Sequence, residues 1–395
     1  PALHTVVQRV MVSTIPDWET ISRWYWNLSA RPLAATTPEM SNEVAQLVAN
    51  AADEQQKIEG IFKRVSQKIR YMGITTEKDA PGFEPHDVCI TYNNKYGVCR
   101  DKAALLVSML RIAGLKAYPV LILVGPKKNP DVPQPYFNHA ITAVETGDCA
   151  YVLMDSTDEN TKDLLPAYLG DMSYLVCKPE GDTLRTTPFR PAGDNLVRVK
   201  TKGALTSRGD LEAETEVFFD GINDNIYRGF FARSKPEERK RLFEGLVKRV
   251  AAGAKLTSFT IAPEDFQDVS EPLTVKLSFE AKDVLVSGKE AVMLSPPWVG
   301  MSIGLVNWVL GDAGLEKRRY PFDTEVTCGA KEEFTLDLAD AVGAAISLPQ
   351  YTPVEGKTVE WKRSVVQHGD TLDGSSEFLI NVVEFSPEEY LALKE

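Results

Sequence analysis

A cysteine set at the start of a buried helix constrains this chain more than any other feature. Between Tyr96 and Leu106 a glycine turn leads through Val98 into Cys99, and from Ala103 to Ala113 only Ser108 and Arg111 interrupt an apolar or small-residue run. Gly114 then supplies a C-terminal stop. A helix that is apolar nearly all round has to be buried, so other elements must wrap around it. Cys99 falls in its first turn, where unpaired backbone N–H groups and the helix dipole favour an anion and lower a thiol pKa. Arg100 and Lys102 add positive charge nearby. A thiol in this setting is a candidate nucleophile, and it needs a base.

Four histidines are available: His4, His86, His139 and His368. His139 opens a stretch that alternates as a strand does, from Phe137 to Val144. Asp155 closes a second short strand, Tyr151 to Met154. Antiparallel neighbours would hold His139 and Asp155 side by side, with the helix packed across the sheet and Cys99 facing the imidazole. Nucleophile, base and orienter in that arrangement are what acyl transfer through a thioester requires. His86, in a loop without a recognisable partner, is a second base candidate that reads better as an incidental polar residue. Cys89, Cys149, Cys177 and Cys328 lack a helix-start context and read as small apolar residues. Zinc held by Cys99, His139, Asp155 and Cys149 is the competing use of the same residue types. It is disfavoured because structural zinc sites contain a close-spaced ligand pair and this chain has none. No metal and no cofactor is expected.

The block from about residue 54 to 177 resembles the transglutaminase-like cysteine hydrolases. The resemblance rests on Ile69-Arg70-Tyr71, Tyr96 to Lys102, Phe137-Asn138-His139-Ala140 and Met154 to Asp158. Family chains often carry Gly-Asp-Cys before the helix; Val98 stands here in place of that Asp. Ser13 to Trp18 is similar to the tail of a domain of unknown function that precedes this core in multidomain bacterial proteins. The resemblance implies a papain/transglutaminase-like α+β core, a protein or peptide substrate, and a periplasmic or extracellular setting. It also points to Tyr71 as an oxyanion donor beside the backbone N–H of Cys99, with Asn93 as the alternative.

The 395 residues are enough for two or three domains. A formal net charge of −12 with no long basic run argues against nucleic acid or an anionic membrane as partner. No apolar stretch is long enough to span a bilayer. With neither a signal peptide nor an initiator methionine, the sequence reads as a fragment or a processed chain.

Taken in order, residues 1–35 read as the remnant of a preceding domain, with a helix capped by Asp17 and striped by Trp18, Ile21, Trp24, Tyr25 and Leu28. Residues 36–195 read as the core, with helices from Thr37-Pro38 and from Ile58 to Ile69. Residues 73–94 and 125–135 read as long polar loops flanking the cleft, loosely held for want of apolar anchors. Helices first and an antiparallel meander after give an α+β core with the helices on one face. Residues 196–395 carry recurrent short alternating segments, expected to form an all-β, sandwich-like domain with one inserted helix started by Ser234, Pro236 and Glu237. Two functions fit: a cysteine-dependent hydrolase or acyltransferase on peptide amides, or a binding module that displays a cleft to a protein or glycan.

Overall fold

The computed structural model describes residues 7–8, 10–73, 82–147, 150–287, 292–338 and 347–394, without the side chains of 287 and 292. Cys149, part of the 73–94 loop, and the ends of the stretches from Val6 and Ala291 lie outside the described residues. The chain divides into two compact units, residues 2–189 and 190–395.

In the first unit, Asp17 caps α1 (Trp18–Ala34) by accepting the Thr20 N–H at 2.7 Å. Trp18, Ile21 and Tyr25 are buried as their spacing requires, whereas Trp24 is 40% exposed and meets Phe83 edge-on at 5.6 Å. Thr37 and Asp53 cap α2 (Pro38–Val48) and α3 (Glu54–Lys68). Strand β1 (Arg70–Tyr71) pairs in parallel with β2 (Tyr96–Gly97), which leads directly into α5 (Cys99–Ile112). Between them the stretch expected to be wholly irregular contains α4 (Val88–Asn94). Its β-branched Val88, Ile90 and Thr91 and its Asn pair have poor helix propensity. Burial of Val88 and Thr91 supports the two turns instead.

Helix α5 is buried from Asp101 to Leu110. It packs on a five-stranded antiparallel sheet made of β3 (Ala117–Leu123), β4 (His139–Glu145), β5 (Tyr151–Met154), β6 (Ser173–Val176) and β7 (Arg185–Thr186). The order is β5-β4-β3-β6-β7. A bond from the Thr142 hydroxyl to the Ala103 carbonyl at 3.2 Å fixes α5 against β4. Val120, Ile122, Ile141 and Ala143 pack under Leu165, Tyr168 and Leu169. The 125–135 loop is tied down by polar contacts: Trp18 Nε1 donates to the Pro130 carbonyl at 2.7 Å, and the Lys128 N–H to Ser173 Oγ at 2.9 Å.

The second unit is β-rich with inserted helices. Eight strands form one sheet: β8 (Leu196–Leu205), β9 (Leu211–Phe219), β10 (Lys255–Ala262), β11 (Thr274–Ala281), β15 (Cys328–Asp337), β16 (Val354–Glu355), β17 (Val359–His368) and β18 (Thr371–Ile380). The numbers between them belong to two separate two-stranded pairs, β12 (Leu285–Ser287) with β13 (Val292–Leu294), and β14 (Phe322–Asp323) with β19 (Glu384–Phe385). Alternation along β9 buries one face, and the helices cover it rather than a second sheet of comparable size. They are α6 (Ile222–Arg233), α7 (Pro236–Val250) and α8 (Leu305–Asp312), with α9 (Pro387–Lys394) after the last strand. Helix α6 escapes a stripe-based reading because Asn223, Asp224 and Arg228 are buried with its apolar residues. Arg228 is fully buried, paired to Asp224 at 2.5 Å and donating to the Asp268 carbonyl at 2.9 Å. At the start of α7 the reciprocal partner is Glu238, which accepts the Lys235 N–H at 2.7 Å, while Ser234 Oγ receives Arg239.

Candidate active site

Cys99 is placed by both of its neighbours in sequence. The strand pairing of Gly97 with Tyr71 fixes the entry to α5. On the helix side the Asp101 carboxylate, 3% exposed, accepts the Val98 N–H at 3.3 Å and so satisfies one of the orphan donors there. Its other oxygen accepts the His86 N–H at 3.0 Å and contacts His86 Nδ1 at 3.1 Å. His86 therefore belongs to the scaffold of the helix start. Of the two cations expected beside Cys99, Lys102 has a different task. Its ammonium is buried against the carbonyls of Ser66 and Ile69 at the C-terminal end of α3, and burial pulls its pKa down to about 8. Arg100 Nε donates to the Glu84 carbonyl at 2.9 Å.

His139 is the first residue of β4, and Asp155 directly follows β5. His139 Nε2 lies 2.8 Å from Asp155 Oδ2. The second carboxylate oxygen accepts both the Thr157 N–H (2.9 Å) and the Thr157 hydroxyl (2.7 Å), and the Asp155 N–H donates to the Leu164 carbonyl at 2.7 Å. Asp155 is 1% exposed, so a carboxylate with both oxygens engaged is held in one orientation. Nε2 is engaged by the carboxylate, and the Cys99 thiol lies near enough to the imidazole for each to shift the other's pKa.

The electrostatics follow from this arrangement. Burial by itself would raise the Cys99 thiol; the hydrogen bond and charge of His139, with the N–H groups of Ala140 and Arg100, outweigh it and hold the thiol below its ordinary value. Burial would likewise lower His139, and the hydrogen bonds to Asp155 and Cys99 reverse this and raise it. Both shifts favour a thiolate–imidazolium pair, and they leave a pH window between the lowered thiol and the raised imidazole. The other buried thiols behave oppositely. Burial pushes Cys328 up to about 12 and moves Cys177 further in the same direction.

Tyr71 is half-exposed, and its hydroxyl is raised by burial and then by the charges of Cys99 and Asp155, which puts it beside the pair. Asn93 is exposed on α4, with no described contact to Cys99 or His139. Three further residues bear on the pair. Thr157 clamps Asp155; the hydroxyls of buried Tyr25 and partly buried Tyr168 are raised by burial and then by the charges of Cys177 and Cys99 and of Asp155 and Asp158, respectively. An Asp-x-Thr turn signal was available in the sequence for Thr157. Nothing local marked the two tyrosines.

The transglutaminase-like superfamily matches residues 42–156, which include Cys99, His139 and Asp155. Compared with the curated proteins, the chain has no match. A crystal structure of a "putative protease" from Parabacteroides distasonis superposes with a TM-score of 0.56 at 15% identity, over 96% of this chain and 56% of that one. The chain thus spans little more than half the length of that relative. A "putative cysteine protease" from Cytophaga hutchinsonii gives a TM-score of 0.26 at 19% identity, over 40% of this chain and 47% of that one. The first of these shows a shared fold. Helices on an antiparallel sheet, a cysteine opening the central helix and the sequence match together place a transglutaminase-like superfamily core at residues 42–156 of this chain.

Proposed function

We propose that the chain is a cysteine-dependent acyl-transfer enzyme acting on peptide or protein amides, with Cys99 as nucleophile, His139 as base and acid, and Asp155 as the orienting carboxylate. The observation that carries this reading is the His139 imidazole held by the clamped Asp155 carboxylate, with the thiol that opens helix α5 lowered by the imidazole's influence. The Cys99 thiolate adds to the amide carbonyl and forms a C–S bond. The resulting oxyanion takes the backbone N–H of Cys99 and the Tyr71 hydroxyl. As the C–N bond breaks, the imidazolium proton passes to the leaving amine, which departs and leaves a thioester. His139 then removes a proton from water or from an acceptor amine as that nucleophile adds. The C–S bond breaks, and the thiolate–imidazolium pair is restored. Asp155 keeps the Nε2 proton in place and stabilises the imidazolium, and Thr157 holds Asp155 through its other oxygen.

The test is intact mass spectrometry after incubation with a panel of activated peptide esters and an acid quench. One acyl group should be carried by the peptide containing Cys99, and none by Cys99→Ala. If no adduct forms on wild type while Cys99→Ala binds the same peptides as tightly, the cleft is a binding site and the hydrolase reading fails.

A further inference from the structure

The loop that joins β3 to β4 and the segment Val10–Val12 line an open cavity of about 540 Å³. Its walls are mixed, with Val12, Leu123, Val124 and Val132 beside the amides of Asn129, Gln134 and Asn138. One of its lining residues, Asn138, directly precedes His139 and bonds both the N–H and the carbonyl of Val124, at 2.8 and 2.9 Å. Two cations line this cavity. Lys127 is committed to Asp171 at 2.6 Å.

Lys128 is different. Its ammonium sits 4.5 Å from the centre of the Phe137 ring, 5.0 Å from Tyr136 and 5.7 Å from Trp18. Such rings attract a cation without neutralising it. The hydrogen bond it makes, to the Gln134 carbonyl, is 3.3 Å long, so two of its three donors remain for an occupant of the cavity. Among the described residues no carboxylate pairs with it, and no lining residue is acidic. Residues 1–9, which lead into the Val10–Val12 wall, contain no Asp or Glu either. Burial is the one cause acting on its pKa, drawing it down to about 8, as expected for an ammonium without a counter-ion. A strut lysine would send its charged end to water. This one is held in an aromatic cage facing a cavity, with its charge unmatched.

We propose that this cavity is an anion subsite that takes a carboxylate on a short hydrocarbon arm, with Lys128 as its counter-ion. One available ammonium, with apolar side chains beside it to receive a short hydrocarbon arm, suits a single carboxylate better than a phosphate, which needs several donors in convergent array. The occupant is either an acidic side chain or a chain-end carboxylate. That it belongs to a substrate rests on the acyl-transfer reading of Cys99 and His139; that the cavity binds a carboxylate does not.

The experiment uses the full chain carrying Cys99→Ala, which makes it independent of turnover, and three probes: N-acetyl-glutamine amide, N-acetyl-glutamine, and N-acetyl-glutamic acid α-amide. The first has no carboxylate, the second a chain-end one, the third a side-chain one. Binding is read by tryptophan fluorescence, Trp18 being part of the cage, and by protection of Lys128 from reductive methylation. At least one acid should bind saturably and protect Lys128, at least tenfold more tightly than the diamide, and whichever acid binds identifies the source. Adding Lys128→Met, which keeps the stem on the rings, should weaken it at least tenfold with an unchanged circular dichroism spectrum. Equal behaviour of all three probes, tighter binding of inorganic phosphate than of either acid, or full affinity after Lys128→Met would overturn the proposal. If the variant misfolds, methylation protection in the Lys128 parent decides. Carboxylate binding combined with no acyl adduct on Cys99 in wild type would leave this subsite standing and reject the enzymatic reading.

Discussion

His139→Ala should reduce turnover of any amide or ester substrate by at least 10³-fold, because it removes the base, the acid and the counter-ion of the thiolate together. Ester substrates should suffer less than amides, since their leaving group needs less protonation. The same variant should slow alkylation of Cys99 at pH 6 by as much as ~10²-fold, the ceiling set by an ordinary thiol of pKa ~8.5 being about 0.3% ionised there. At pH 10 the two proteins should react at similar rates. Asp155→Asn should resemble His139→Ala in turnover while keeping more of the thiolate, because the imidazole stays but loses the acceptor that fixes its tautomer. Alkylation at pH 6 that is unchanged in His139→Ala would mean that the imidazole does not govern the sulfur.

Gly97→Ala should damage stability and reactivity in one step. A Cβ at this buried position would stand 2.8 Å from Asp101 Cβ and 3.1 Å from Thr91 Cγ2, and neither atom is the far end of a flexible chain. Helix α5 would have to shift away from α4 and β2, at a cost of about 1–3 kcal/mol. For a unit of this size that is a loss of several degrees in melting temperature, ~2–4 °C per kcal/mol. The displaced group is Asp101, which caps the helix start through Val98 and holds His86, so Cys99 moves with it. Misplacement of the order of 1 Å costs about 10²-fold in rate. A thermal melt and an alkylation rate, measured together, check this. A variant as stable as wild type would show that the close packing of Gly97 on Asp101 is not a constraint.

The elements that were legible in the sequence are those whose signal is local. Asp17, Thr37 and Asp53 announce helix starts through their own side chains, and Ser386 with Glu389 makes the reciprocal cap that its pattern implies. Cys99, His139 and Asp155 each sit at the end of an element whose periodicity is clear, so their positions on helix and strands could be read before their proximity was known. What the sequence concealed depends on tertiary burial. Lys102 looked like a charge for Cys99, but a long side chain reaches wherever a carbonyl cluster can receive it, here the end of α3. Helix α4 and helix α6 are held by packing and by a buried ion pair, against poor propensity and a broken stripe. The alternating strands of residues 196–395 fix which face is buried but not what covers it. Helices on one large sheet and a second facing sheet leave the same period-two pattern.

The central claim, that the Cys99 sulfur is an activated thiolate paired with His139, is tested most directly by its own titration. Thiolate absorbance near 240 nm is followed with pH in wild type, with the Cys99→Ala spectrum subtracted so that Cys89 and the buried thiols cancel. The lowered thiol and the raised imidazole predict that the Cys99 thiolate persists to pH values well below the ordinary thiol range. They predict a return toward that range in His139→Ala. A difference titration centred near the ordinary ~8.5 and unmoved by His139→Ala would contradict the account.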